Sequence, residues 1–213
     1  HDELVARVVM SVLSMLVEYE KADRSHNDLH LGNLVLTIQG DVKVIDFNRA
    51  TNNASLLKGQ IYGALDIQSP QAYIASIWKK DHPSATYNRH ANDIWSVGIM
   101  ALELLTGRVT HAGSKRYRHV QITKELVLFG ELVNQYKSNI DPGPYIKEQL
   151  GSAFQAHEDA FPQVNIEGNI QNIVMKMLAF QESDRPSASD LLEQMRAYYK
   201  QNYALDNESN LGL

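Results

Sequence analysis

Apolar residues recur in pairs every four positions at Leu4, Val5, Val8, Val9, Val12, Leu13, Leu16 and Val17, which marks a helix with one buried face. Asp2 is placed to cap it. After a polar stretch over 21–25 the period changes. Residues 34–38 and 42–45 are short β-branched runs joined by Gly40-Asp41, which reads as a hairpin. Residues 48–63 are polar and glycine-bearing, without a sustained period, and read as a loop. From about 92 to 106, Ile94, Trp95, Val97, Ile99, Met100, Leu102, Leu104 and Leu105 surround a predicted helix almost completely, with Gly107 at its end. A helix apolar on all sides, without the length to cross a bilayer, belongs in the middle of a core. Further helices are predicted over 124–137, 144–160, 168–180 and 187–203. The last opens on Ser187 with Asp190 three residues on, a capping box with Asp in place of Glu. The pattern predicts a mainly helical unit over 1–205 with one small hairpin near its start, then a flexible tail over 206–213.

Composition narrows the function classes. With 213 residues, 44% hydrophobic and 21% charged, the chain has the make-up of a globular unit with one good-sized core. Twenty basic residues against 25 acidic ones argue against general nucleic-acid binding through a basic surface. The absence of Cys removes disulfides, Cys-ligated zinc, iron–sulfur clusters and thiol catalysis together. It fits a reducing compartment, so a cytoplasmic location is expected, or a host cytosol for a delivered bacterial effector. No apolar run reaches bilayer length, and 4–17 is interrupted by Arg7, Ser11 and Ser14, so no membrane partner is expected. Because the sequence opens on His1 rather than Met, a fragment or processed product is expected.

The chemistry concentrates in His26-Asn27-Asp28-Leu29-His30-Leu31-Gly32-Asn33 and in Val44-Ile45-Asp46-Phe47-Asn48. Two carboxylates and a carboxamide thereby surround the base of the hairpin: Asp28 and Asn33 before it, Asp46 at its exit. Such oxygen donors suit Mg²⁺, which binds through one or two carboxylates and keeps waters or phosphate oxygens for the rest. A remaining carboxylate can orient a hydroxyl and accept its proton. Taken singly, an Asp before a Phe at a strand exit is an ordinary solvated turn residue. Elsewhere the sequence has no Gly-x-Gly, no Gly-Lys-Ser/Thr and no second His at metalloprotease spacing after His157-Glu158. The basic stretch Lys115, Arg116, Arg118 and His119 reads most simply as a solvated loop.

These residues resemble the catalytic core of the protein kinase superfamily. Asp28 matches the catalytic-loop Asp and Asn33 the magnesium-binding Asn, while Asp46-Phe47-Asn48 matches the metal-binding Asp-Phe-Gly. The steps of five from Asp28 to Asn33 and thirteen from Asn33 to Asp46 are the family's own. Tyr62-Gly63 through Ser69-Pro70-Gln71 looks like the close of an activation loop, with Gln71 for the usual Glu. Asp93-Ile94-Trp95-Ser96-Val97-Gly98 looks like the family's central helix, and Asp184-Arg185-Pro186-Ser187-Ala188 like its late Arg-Pro motif. The motifs come in the family's order and cover 26 to about 192.

The resemblance implies a kinase-like large C-terminal lobe, helical with a small hairpin, and ATP with Mg²⁺ as cofactors. It implies Asp28 as base, Asn33 and Asp46 as metal ligands, and His30 facing the transferred phosphate where Ser/Thr-specific members carry Lys. It further implies Leu34, Val35 and Leu36 as the floor of the adenine pocket, His26 and Phe47 stacked in the core, and Asp93 anchoring the catalytic loop. The family's small lobe, with its glycine-rich loop, Lys and Glu, has no counterpart in the 213 residues, so a large lobe alone is expected, unable to turn over ATP by itself and showing an apolar face to its missing partner lobe. Departures touch the acceptor side. Asn27 replaces an Arg that pairs with a phosphorylated activation loop, and His30 and Ala64 replace a Lys and Thr that contact each other. Gln71 leaves Arg185 a neutral hydrogen bond for an ion pair. The implied partner is a Ser/Thr protein substrate. A small-molecule acceptor, as in aminoglycoside- and choline-kinase-like enzymes, and a non-catalytic pseudokinase module are the alternatives.

Overall fold

Helix α1 spans Asp2–Lys21 in the computed structural model, which describes residues 2–52, 67–69, 71–72, 87–106, 170–179 and 182–203. Of its paired apolar positions, Val5, Val8, Val9, Val12, Leu13 and Leu16 are buried as their spacing predicts, while Val17 is half-buried and Leu4, on the first turn, is 52% exposed. Asp2 and Glu3 lie in the first turn and Lys21 in the last, the charge order that the helix dipole favours.

After α1 come a two-residue strand β1 (Arg24–Ser25), a 3₁₀ turn at Leu31–Asn33 and strands β2 (Leu34–Leu36) and β3 (Val42–Val44). β2 and β3 form the expected antiparallel hairpin, with Leu34 opposite Val44 and Leu36 opposite Val42. The turn falls earlier than Gly40-Asp41. Gly40 donates to the Thr37 carbonyl at 2.9 Å, and Thr37 donates to the Asp41 carbonyl at 2.8 Å. Gly40 itself takes the left-handed φ of 86° that such a loop needs at its last position. Ile38, counted in the strand for its apolar side chain, therefore sits on the turn and is 98% exposed. The stretch 48–63 is not wholly loop either, because β4 (Thr51–Asn52) pairs antiparallel with β1, Ser25 facing Thr51.

Helix α2 (Arg89–Thr106) begins three residues before the predicted start. Asn88 caps it, its Oδ1 accepting from the Ala91 N–H at 3.1 Å, while its own N–H donates to the Glu182 carboxylate at 3.0 Å. Every residue from 91 to 98 is buried, so α2 is the central helix its apolar circumference predicts. Helices α3 (Ile170–Met177) and α4 (Ala188–Tyr203) complete the described elements. Ser187 starts α4 as read, its Oγ accepting from the Asp190 N–H at 3.1 Å and donating to the Asp190 carboxylate at 2.7 Å.

All four helices contribute to one apolar cluster that includes Leu13, Ile94, Met100, Ile170, Met177, Leu191 and Met195. Arg185, buried just before α4, donates to the carbonyls of Ala179 and Ala91 and to Gln71 Oε1 at 2.7 Å, with its guanidinium 4.9 Å from the Trp95 ring centroid. The neutral bond foreseen between Gln71 and Arg185 is therefore present. Burial lowers the Arg185 pKa to about 10. Among the described residues no helix is long and apolar enough to cross a membrane. The helices read over 124–137 and 144–160, Tyr62-Gly63, Ala64, Gly107, the basic stretch at 115–119, His157-Glu158 and the tail lie outside the described residues.

Candidate functional site

The stretch from Ser25 in β1 to Asn33 in the 3₁₀ turn carries most of its polar side chains inward. Ser25, His26, Asn27, Asp28 and Asn33 are all buried. Unpaired backbone N–H groups at such depth cost of order 1–3 kcal/mol each, and one carboxylate satisfies two of them. Asp93, on the first turns of α2, accepts from the His26 N–H at 2.7 Å and the Asn27 N–H at 2.8 Å. The anchoring role that the resemblance implied for Asp93 is thus a pair of charge-assisted bonds across 66 and 67 residues of sequence. Desolvation pushes the Asp93 carboxyl up to about 7, against the pull of these two N–H groups.

His26 is fully buried, and desolvation lowers its pKa, so its ring is neutral. Its Nδ1 accepts from the Asp28 N–H at 3.3 Å, shaping the turn into Asp28. Phe47 meets the His26 ring edge-on at 5.1 Å and the Tyr19 ring at 5.9 Å, which ties the exit of the hairpin to this loop. Contrary to the reading that puts both rings in the core, Phe47 is 43% exposed. The contact reaches the surface because the hairpin itself lies at the edge of the described structure.

Asn33 joins the parts. Its Nδ2 donates to the Asp28 carbonyl at 2.8 Å, and its own carbonyl accepts from the Ile45 N–H at 2.9 Å, one residue before Asp46. With the amide nitrogen turned to Asp28, the carboxamide oxygen is the atom left for a cation. Asp46 is exposed and has a left-handed φ of 61°, its Oδ1 accepting from the Asn48 N–H at 3.3 Å. These bonds place residues 28, 33 and 46 at the same end of the hairpin.

Among the described residues no group of three or more His, Cys, Asp or Glu could hold a metal by itself. A pair of oxygen donors, one charged and one neutral, instead fits a hard ion that takes the rest of its shell from water and phosphate. The three residues read as an adenine floor differ in exposure. Leu34 packs against the core, whereas Val35 and Leu36 are 40% and 68% exposed. His30 folds back on its own loop, its Nδ1 accepting from the Gly32 N–H at 3.1 Å.

The sequence reading named Asn27 only for the Arg it replaces, and Arg89 and Arg49 escaped it altogether. Asn27, at a left-handed φ of 67°, sends its Nδ2 toward the carbonyls of Ser25 and Arg49 and toward Thr51 Oγ1, at 3.2, 2.9 and 3.0 Å. The buried Arg89 donates to the same Thr51 oxygen at 2.5 Å. Arg49 places its Nε 3.5 Å from Asp28 Oδ2. The available signal was slight: Arg49 is the one basic residue between Asp46 and Asn52.

A family model described as a protein kinase domain matches residues 2–195. Mitogen-activated protein kinase 14 of Xenopus laevis is 25% identical over 217 residues, covering 97% of this chain and 54% of its own length. Mitogen-activated protein kinase 2 of Pneumocystis carinii is 25% identical over 197 residues, covering 90% and 53%. Mitogen-activated protein kinase kinase 2 of Arabidopsis thaliana is 30% identical over 117 residues, covering 52% and 29%. The chain spans about half the length of the first two of these relatives.

Proposed function

The chain belongs to the protein kinase family, and from that premise we propose that it carries the large-lobe half of an ATP- and Mg²⁺-dependent phosphotransferase acting on Ser/Thr hydroxyls. The observation that carries this reading is the placement of Asn33, hydrogen-bonded to the Asp28 carbonyl on one side and to the strand leading into Asp46 on the other. Asp28 would orient the acceptor hydroxyl and take its proton. Asn33 and Asp46 would hold Mg²⁺, which when bound neutralises phosphate charge. Asp93 and His26 keep the loop backbone rigid, so that Asp28 need not reorganise during transfer. Leu34, Val35 and Leu36, with the exposed Ile45 and Phe47 nearby, would offer apolar surface to a nucleobase and to a small lobe. We read 1–205 as this lobe and 206–213 as a tail.

One observation favours a second reading, a small-molecule acceptor: His30 turns to Gly32 at the position where Ser/Thr-specific enzymes present Lys. The test is phosphate transfer from labelled ATP by the full-length protein to three acceptors in parallel: myelin basic protein, choline and an aminoglycoside. Transfer to Ser or Thr of the protein acceptor supports the first reading, and transfer to a small molecule alone supports the second. ATP binding with no transfer to any acceptor, including itself, would leave a pseudokinase.

A further inference from the structure

Asp28 receives its cation from outside the catalytic loop. Among the described residues, Arg49 is the one that forms an ion pair with it, Nε to Oδ2 at 3.5 Å. The Arg49 backbone is clamped from both sides. The Ala50 N–H donates to the Phe47 carbonyl at 3.0 Å, which puts Asn48 and Arg49 at the corners of a turn. Asn27 Nδ2 donates to the Arg49 carbonyl at 2.9 Å, and β4 begins two residues later, with Thr51 held by Asn27 and Arg89. The side chain, by contrast, stays 46% exposed while the Asp28 side chain is 11% exposed. The Arg49 backbone is thus pinned while its side chain stays partly open to solvent beside the carboxylate, on the segment that leaves Asp46.

Position 30 does not compete for this place. A Cβ on residue 32 would come within 2.9 Å of the His30 ring, so that ring sits against its own loop at Gly32.

We propose that Arg49 binds the phosphoryl group in transit and is a catalytic residue of this site, an inference that rests on the phosphotransfer reading above. In the step concerned, the acceptor oxygen bonds to the γ-phosphorus while the bond from that phosphorus to the β,γ-bridging oxygen breaks. Nucleoside diphosphate leaves, and the hydroxyl proton passes to the Asp28 carboxylate. Negative charge spreads over the three non-bridging oxygens of the moving group. A planar guanidinium carries five N–H donors, and its fork matches two phosphate oxygens at once. Nε stands 3.5 Å from Asp28 Oδ2 as an ion pair, and four N–H groups are carried on the terminal nitrogens, so one side chain can stand beside the base and offer donors to the phosphoryl group. The same contact admits an opposite reading, in which Arg49 masks Asp28, and the two differ in the sign of the effect of removing it.

The experiment is calorimetry on the full-length protein with Mg²⁺ and ADP, with and without aluminium fluoride, a mimic of the phosphoryl group in transit. The unsubstituted protein should bind ADP more tightly with the fluoride present. Arg49→Ala should weaken that enhanced binding by about 10²-fold and leave binding of ADP alone as before. Arg49→Lys, which keeps the charge and loses the fork, should recover part of it. In transfer assays, kcat of Arg49→Ala should fall while KM for ATP holds. An unchanged fluoride enhancement in Arg49→Ala overturns the proposal. So does an equal loss of plain ADP binding, which makes the role structural, and so does a rise in kcat, which makes Arg49 a mask. Failure of the unsubstituted protein to bind ADP at all would instead remove the nucleotide reading on which the proposal stands.

Discussion

Leu13 and Met195 in the helical core and Ser25 and His26 in the loop before the hairpin are buried to the same degree, with no exposed surface at all. They are held by different forces. Around Leu13 the neighbours are apolar, and apolar packing is non-directional, so a side chain of similar size is accepted at modest cost. Around His26 the contacts are directional: Asp93 to two backbone N–H groups, His26 Nδ1 to a third, Asn33 to the Asp28 carbonyl. Each such bond fixes an orientation, and an unmet partner is costly at that depth. The core therefore sets how stable the protein is, and the loop sets where Asp28, Asn33 and Asp46 stand.

If that division is right, substitutions should separate activity from stability. The largest effect is expected for Asp28→Asn, which keeps the size of the side chain and removes its proton-accepting charge. Transfer should slow by about 10²–10⁴-fold, with ATP affinity and melting temperature close to the unsubstituted protein. A transfer assay and a thermal melt on the same sample check it. Leu13→Ala is the converse. It leaves a cavity between α1 and the rest of the cluster and should cost about 2–5 kcal/mol of stability, read by urea unfolding, while the folded fraction keeps its rate per molecule. Equal loss of rate and stability in both variants would erase the distinction between the two regions.

The uneven legibility of the sequence follows the same line. Helices α1 and α4 could be read because burial of one face leaves a period, and Ser187 with Asp190 is a local signal. The order and spacing of Asp28, Asn33 and Asp46 were readable because they lie within one short stretch of chain. What escaped depends on distant partners. The start of α2 involves Glu182, 94 residues away from Asn88. Strand β4 is two residues long and exists because β1 lies beside it. The pairing of Arg49 with Asp28 has no period at all, since a long polar side chain can reach in any direction from its turn.

Acidity offers a sharper comparison, because Asp93 is a titratable group that belongs to both regions, buried in α2 and bonded to the loop. Its carboxyl stands at about 7, raised from 3.8, chiefly by desolvation and further by Glu20, with Arg89 and the two N–H groups opposing. A folded value above the unfolded one means that its contribution to stability is full below about pH 4 and is lost as pH rises through 7. Transfer should move the other way, falling as pH drops through about 7, because the protonated acid keeps one acceptor fewer for the His26 and Asn27 N–H groups. Melting temperature and rate followed from pH 5 to 8 should show both limbs, and Asp93→Asn should lose the stability limb. The smallest expected effect is a gain. Gln71→Glu would give the buried Arg185 a carboxylate in place of a carboxamide at 2.7 Å and should stabilise the fold by about 1 kcal/mol, with transfer unchanged. A melt in parallel with the unsubstituted protein measures it.

On the proposed function, Asp46, at the exit of the hairpin, would hold the metal that brings nucleotide to Asp28. Calorimetric titration of ATP into the full-length protein, with Mg²⁺ and with the metal chelated, tests it directly when repeated on Asp46→Asn. The expected result is tight binding that needs Mg²⁺ in the unsubstituted protein and its loss in Asp46→Asn, with the melting temperature unchanged because the side chain is exposed. Equal Mg²⁺-dependent affinity for ATP in the two proteins would contradict the claim.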